Sequence, residues 1–175
     1  MCIGGEVKTV CDFIVQNQIM DVELWRLFVN KFATDADAED FGWRGEYWGK
    51  MMRGASLICK NYRVKGLYDV LERTVRELIE QADPSGRIST YSIEKEFNGW
   101  DMWGRKYVSV GLQYFLEICK DDILKDKIIE ALKGHCDYII EKVGKETGKK
   151  PILKTSNIYG SLNSSSILKS FVKMY

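Results

Sequence analysis

The sequence predicts an all-α fold, a single domain of about three successive helical hairpins. Three observations carry this expectation. Apolar residues recur at steps of three and four over long runs. A block that opens on Gly42-Trp43 returns 57 residues later at Gly99-Trp100. Segments apolar nearly all round alternate with segments apolar on one side only.

Residues 1–41 form an N-terminal segment with the first helix. Its start, MCIGGEVKTV, lacks the basic stretch and apolar run of a secretory signal. No run of about 18 apolar residues is present to span a membrane. The expected setting is therefore cytoplasmic, away from membranes.

The first hairpin unit spans 42–83. GWRGEYWGKMMRGASLICK predicts a helix over 45–61 that is buried on every side. VKGLYDVLERTVRELIEQAD then predicts a one-sided helix, with Leu67, Leu71, Val75, Leu78 and Ala82 inward and Asp69, Glu72, Arg73, Arg76, Glu77 and Glu80 outward. Asp83-Pro84-Ser85-Gly86 stops it in a turn. RISTYSIEKEF alternates weakly and reads as a short β segment near 88–93 or an extended loop.

The second unit spans 99–144. GWDMWGRKYVSVGLQYFLEICK carries one charge, Glu117, between Tyr107 and Cys119, which predicts a second all-round buried helix over 102–119. DDILKDKIIEALKGHCDYIIEKVG predicts a surface helix with Leu124, Ile128, Leu132, Cys136, Ile139 and Val143 inward. A polar loop, Lys145–Pro151, leads to a further short β segment at 152–153. The third unit, 160–175, opens GSLNSSSILKSFVKMY and predicts another buried helix from about Ser164.

Inner helices wrapped by outer helices are the parts of an (α/α)6-type toroid. Six pairs at this period need roughly 350 residues, so the chain is expected to form an incomplete ring. Its open side would expose apolar surface, which favours self-association into a homo-oligomer.

Composition narrows the function classes. Hydrophobic residues make up 45%, charged residues 29%, and the net charge is +1. Acids and bases are interspersed, so neither nucleic acid nor a membrane is an expected partner. The five cysteines, Cys2, Cys11, Cys59, Cys119 and Cys136, contain no CxxC pair. They support neither a disulfide framework nor a zinc site. No GxGxxG or Walker pattern occurs, so nucleotide binding has no motif. His135, the single histidine, lies beside an apolar stripe, where a packing or surface role is expected.

The candidate binding residues stand at the starts of the inner helices: Trp43, Glu46, Trp48, Trp100, Asp101, Trp103, Arg105 and Asn163. Indoles stack on sugar rings, and carboxylates, guanidinium groups and amides bond their hydroxyls. The same residues also read as inter-helix wedges, with Asn98 or Asp101 as an N-cap and Arg105 or Lys106 as ion-pair partners. Glu46 and Asp101 occupy equivalent places in successive units, and Glu94 or Glu96 could reach the same cleft. Two carboxyl groups are what glycosidic hydrolysis needs; caps and surface acids are the other reading. Asn163-Ser164-Ser165-Ser166 caps the third helix or offers hydroxyls and amides to a sugar or anion.

GWRGEYWGKMMRGA, DPSGRISTYSIEKEF, GWDMWGRKYVSVGLQYFLEIC and GSLNSSSILKSFVKMY, in this order, resemble the catalytic-barrel region of the family 127 glycoside hydrolases, the β-L-arabinofuranosidase-like proteins. The resemblance runs roughly from Trp25 to Tyr175. It implies a six-hairpin barrel and a carbohydrate substrate cleaved with retention. The family's nucleophile is a cysteine on a zinc ion held by a cysteine cluster and a glutamate. No block here matches that cluster, so the resemblance implies a truncated or divergent homologue lacking the catalytic half, without a cofactor. Lys169 stands where the family often has a glutamate. Lys106-Tyr107 and Ser164 stand where it often has histidines. The alternative is a non-catalytic helical scaffold module.

Overall fold

A computed structural model describes residues 4–32, 43–62, 64–156 and 161–174. Cys2, Gly42, Gly160 and Tyr175 lie outside them. Every regular element among the described residues is helical. The chain runs α1 (Gly5–Ile14), a π-helical turn (Val15–Ile19), α2 (Val22–Val29), α3 (Arg44–Asn61), α4 (Leu67–Glu80), α5 (Asp101–Leu116), α6 (Asp122–Lys142), a 3-10 turn (Ile152–Lys154), α7 (Leu162–Ser165) and α8 (Leu168–Val172).

α1 buries no residue, so the core begins at Val15 and Ile19 on the π turn. Asp21 caps α2 by accepting the Leu24 N–H at 3.0 Å. That start aims Trp25, Phe28 and Val29 inward. The Trp25 indole donates to the Ile19 carbonyl at 2.8 Å and meets Trp48 edge-on, with centroids 6.3 Å apart. The polar atom of a buried indole is thus satisfied while its ring fills the core.

α5 is the centre of the molecule. None of its residues is exposed, as the charge-free stretch from Tyr107 to Leu116 predicts. α3 packs along it. Gly49 permits the close approach, because a Cβ there would collide with the Tyr107 carbonyl. Across the contact, a Cβ at Gly111 would stand 3.1 Å from the Gly49 Cα. The expectation that 45–61 is buried on every side is corrected: Lys50, Arg53, Gly54 and Leu57 form a solvent-facing strip on α3. The cations on that strip keep it in water.

α4 packs against α2, α3 and α6. It buries Leu67, Leu71, Val75 and Leu78, as the periodicity predicts, and Thr74 with them. α6 starts at the Asp121 cap, whose carboxylate accepts the Leu124 N–H at 3.1 Å and the Arg76 guanidinium at 2.5 Å. α6 buries Leu124, Ile128, Leu132, His135, Tyr138 and Ile139. Cys136 and Val143 are half-buried at the edge of the stripe rather than within it.

Of the two readings of residues 88–93, the loop is the one observed, with no strand. Their polar groups bond to side chains and other segments instead of to a neighbouring strand: Ile88 N–H donates to His135 Nδ1 at 3.2 Å and Tyr91 N–H to Ser89 Oγ at 3.1 Å. The short β segment expected at 152–153 is corrected: these residues fall in the 3-10 turn. The single buried helix expected from Ser164 is two short pieces, α7 and α8. The serine run explains the break. Ser165 Oγ donates to the Leu162 carbonyl at 2.8 Å and Ser166 Oγ to the Asn163 carbonyl at 2.6 Å, in competition with the helical ladder. Asn163, Ser164, Ile167 and Ser170 face inward against α5, whereas Leu162, Leu168 and Val172 are exposed. Among the described residues, no helix is long and apolar enough to cross a membrane.

Candidate functional site

α3 and α5 begin side by side, and their first turns bring aromatic residues together. Trp43 and Trp100 are the N-cap residues of these helices, and neither uses a side-chain cap. Glu46, Tyr47 and Trp103 follow within one turn. These five residues line an open groove of about 260 Å³. Trp43 meets Tyr47 edge-on with centroids 6.3 Å apart; Trp100 meets Trp103 at 5.9 Å. Such T-shaped pairs hold their rings in fixed orientation. Trp43 stays 36% exposed, so part of its ring is open to a ligand. Glu46 forms an ion pair with Lys50 at 2.5 Å, which holds its carboxylate at the groove.

Four of the eight predicted binding residues, Trp43, Glu46, Trp100 and Trp103, therefore converge. The other four do not line the groove. Trp48 is fully buried and donates its indole N–H to Thr74 Oγ1 at 3.1 Å. Five residues beyond Trp43, it falls on another face of α3, toward the core. Asn163 is buried, and its amide donates to the Gly99 carbonyl at 3.0 Å. It ties α7 to the residue before Trp100. Tyr47 was missed, although Trp43 and Tyr47 at i and i+4 are neighbours on one helix face.

Asp101 and Arg105 belong to a buried ionic cluster. Asp101 accepts the Arg105 Nε–H at 2.8 Å, the Phe97 N–H at 2.7 Å and the Ser89 hydroxyl at 2.5 Å. Glu96 accepts from Arg105 Nη2 at 2.8 Å, Arg87 Nε at 3.0 Å and the Tyr138 hydroxyl at 2.7 Å. Arg87 also donates to the Tyr91 carbonyl. The Arg105 guanidinium lies 4.6 Å from the centroid of Phe97. Two acids thus balance two bases in a region closed to solvent, and the cluster fixes the 87–97 loop to α5 and α6. Asp101 is not the N-cap of α5, and neither Asp101 nor Glu96 lines the groove. Glu94 is exposed. Burial, then the bond to Glu96, push the Tyr138 hydroxyl up to about 12.

His135 is wholly buried beneath this cluster. Burial first, then the charges of Arg105 and Arg87, lower its pKa to about 3. It is a neutral packing residue that accepts the Ile88 N–H, and it has no reactive partner in Cys136. That thiol is itself pushed up to about 11 by burial. Burial also raises Cys59. Among the described residues, no three metal-ligating side chains converge, and Cys11, Cys59, Cys119 and Cys136 are all free. These residues do not fit the zinc cluster that the resemblance implies for its family.

No protein-family model matches the sequence, and no curated protein matches it. The geometry of the aromatic groove is therefore what bears on function.

Proposed function

We propose that this chain is a carbohydrate-binding helical-hairpin domain, related to the barrel of the family 127 glycoside hydrolases, that takes a sugar ring in the groove between the starts of α3 and α5. One observation carries the reading: Trp43, Tyr47, Trp100 and Trp103 line a single open groove with one carboxylate, Glu46, among them. Indole faces cover the apolar side of a sugar ring, and Glu46 accepts hydrogen bonds from its hydroxyls. Glycoside cleavage uses two carboxyl groups flanking the bond. Asp101 and Glu96 are held in buried ion pairs, so the reading commits to recognition rather than cleavage.

Titration with arabinose, galactose and their oligomers tests it by tryptophan fluorescence. A saturable change is expected in the wild type and its loss in Trp43→Ala. A folded protein silent to every sugar overturns the reading.

A second reading, self-association as a scaffold, is favoured by Leu162, Leu168 and Val172, which are 71%, 54% and 74% exposed on the short C-terminal helices. Sedimentation velocity separates the two: a monomer at every concentration removes the second.

A further inference from the structure

A second groove, of about 200 Å³, opens between α3, α5 and α8. Its charge is one-signed. Arg53, Lys106, Lys169 and Lys173 line it together with Tyr107 and Tyr114, and no carboxylate is in the lining. These cations come from three separate helices, so the groove is a product of the tertiary fold and not of one charged helix face. In a chain of net charge +1, four cations around one small groove are a local excess.

Three of the four cations are not neutralised by acids. Lys173 reaches Glu117 at 3.2 Å, but Glu117 also serves Lys60 at 3.0 Å. Arg53, Lys106 and Lys169 make no ion pair among the described residues. Aromatic rings hold three of the four cations in place. Lys106 Nζ stands 3.8 Å from the centroid of Tyr107 and 4.2 Å from that of Trp103. The Arg53 guanidinium stands 5.4 Å from the centroid of Tyr114, and Lys173 Nζ lies 4.6 Å from the same ring. Ring quadrupoles orient a cation without discharging it. Mutual repulsion among Arg53, Lys106 and Lys169 is then relieved by solvent or by an anion from outside.

We infer that this groove binds an oxyanion of a small molecule, a phosphate ester or a carboxylate, through Arg53, Lys106, Lys169 and Lys173. Arg53 supplies a planar fork for two oxygens, and the lysines supply point charges around it. Tyr107 and Tyr114 provide flat apolar surface for the body of the ligand. This groove shares no lining residue with the sugar groove, although the two adjoin where Lys106 lies over Trp103.

Calorimetric titration at fixed ionic strength tests the inference. The probes are inorganic phosphate, glucose 6-phosphate, galacturonate and, as the neutral control, galactose. The variants are Arg53→Ala and Lys169→Ala, both exposed positions, with Lys133→Ala as an exposed control outside the groove lining. Thermal unfolding of each variant confirms that it folds. Saturable binding of phosphate or glucose 6-phosphate is expected. It should weaken roughly tenfold in Arg53→Ala and in Lys169→Ala, about 1.4 kcal/mol each, and be unchanged in Lys133→Ala. Binding of galacturonate alone, with the same variant pattern, also supports the site and assigns it to carboxylates. The absence of heat with every anion overturns the inference. So does equal weakening in Lys133→Ala, which marks general surface attraction. Galactose binding that survives both groove variants leaves the sugar reading standing by itself.

Discussion

Replacing His135 by asparagine isolates a pH dependence that the fold builds into α6. Nδ1 accepts the Ile88 N–H at 3.2 Å, so the neutral ring carries its hydrogen on Nε2, a buried atom with no partner among the described residues. A second proton would have to enter at Nδ1, against the Ile88 donor and beside Arg105 and Arg87. The Gly86 carbonyl, 3.4 Å from Nδ1, is a weak counterweight. The folded-state pKa is therefore lowered from 6.5 to about 3. Because the unfolded chain takes up the proton first, His135 leaves stability intact above pH 6.5 and removes it progressively as the pH falls toward 3. Each pH unit in that window is worth about 1.4 kcal/mol, so falling from pH 6.5 to 5 removes about 2 kcal/mol. Urea unfolding followed by far-UV circular dichroism at pH 7.5 and 5.0 measures it. His135→Asn keeps an acceptor for the Ile88 N–H and cannot be charged. Carboxylates such as Asp121 and Glu117 titrate alike in both proteins and cancel in the comparison. The wild type is expected to lose about 2 kcal/mol more than the variant between the two pH values. Equal losses would refute the buried, neutral assignment.

Gly49→Ala places a methyl group against the Tyr107 carbonyl, and main chain cannot rotate away as a side chain can; a loss of at least about 1–3 kcal/mol is expected in urea unfolding. Asp101→Ala leaves Arg105 short of one partner in a closed site and is expected to cost about 3–5 kcal/mol, read from the same transitions. A cost like that of a surface change would show the cluster to be solvated. Cys136, with its pKa near 11, should react with a maleimide at pH 7 far more slowly than the same reagent reacts with free cysteine, as mass spectrometry of the labelled peptide will show.

Much of the fold is written in spacing. Leu67, Leu71, Val75 and Leu78 repeat at helical steps because one face of α4 must leave water, and α5 lacks charge along its later turns because it is surrounded. What spacing does not carry is long-range pairing. The Lys50 and Arg53 strip on α3 is invisible in an average over the helix. Residues 88–93 alternate like a strand, yet His135 from far along the chain takes up one of their N–H groups. The tryptophans at helix starts were legible as a group, but their directions were not: Trp43 and Trp48 differ by five positions and so by the face they occupy. Asp101 and Arg105 sit one turn apart on a helix start, which suggests a cap or a ligand contact until Glu96 and Arg87 are brought beside them. Lys106 and Lys169, 63 residues apart in sequence, meet only through the packing of α8 on α5.

Glu96 accepts from three donors on three separate segments, Arg87 on its own loop, Arg105 on α5 and Tyr138 on α6. The connection between the two hairpins is thus moored at a few side chains, Glu96, Asp101 and His135, and not by a strand ladder. Drift in its sequence is tolerable where side chains point away from that mooring, as Ile93 and Glu94 do. A peptide tag spliced between those two residues should leave the chain folded, whereas the same tag beside Ser89 should not.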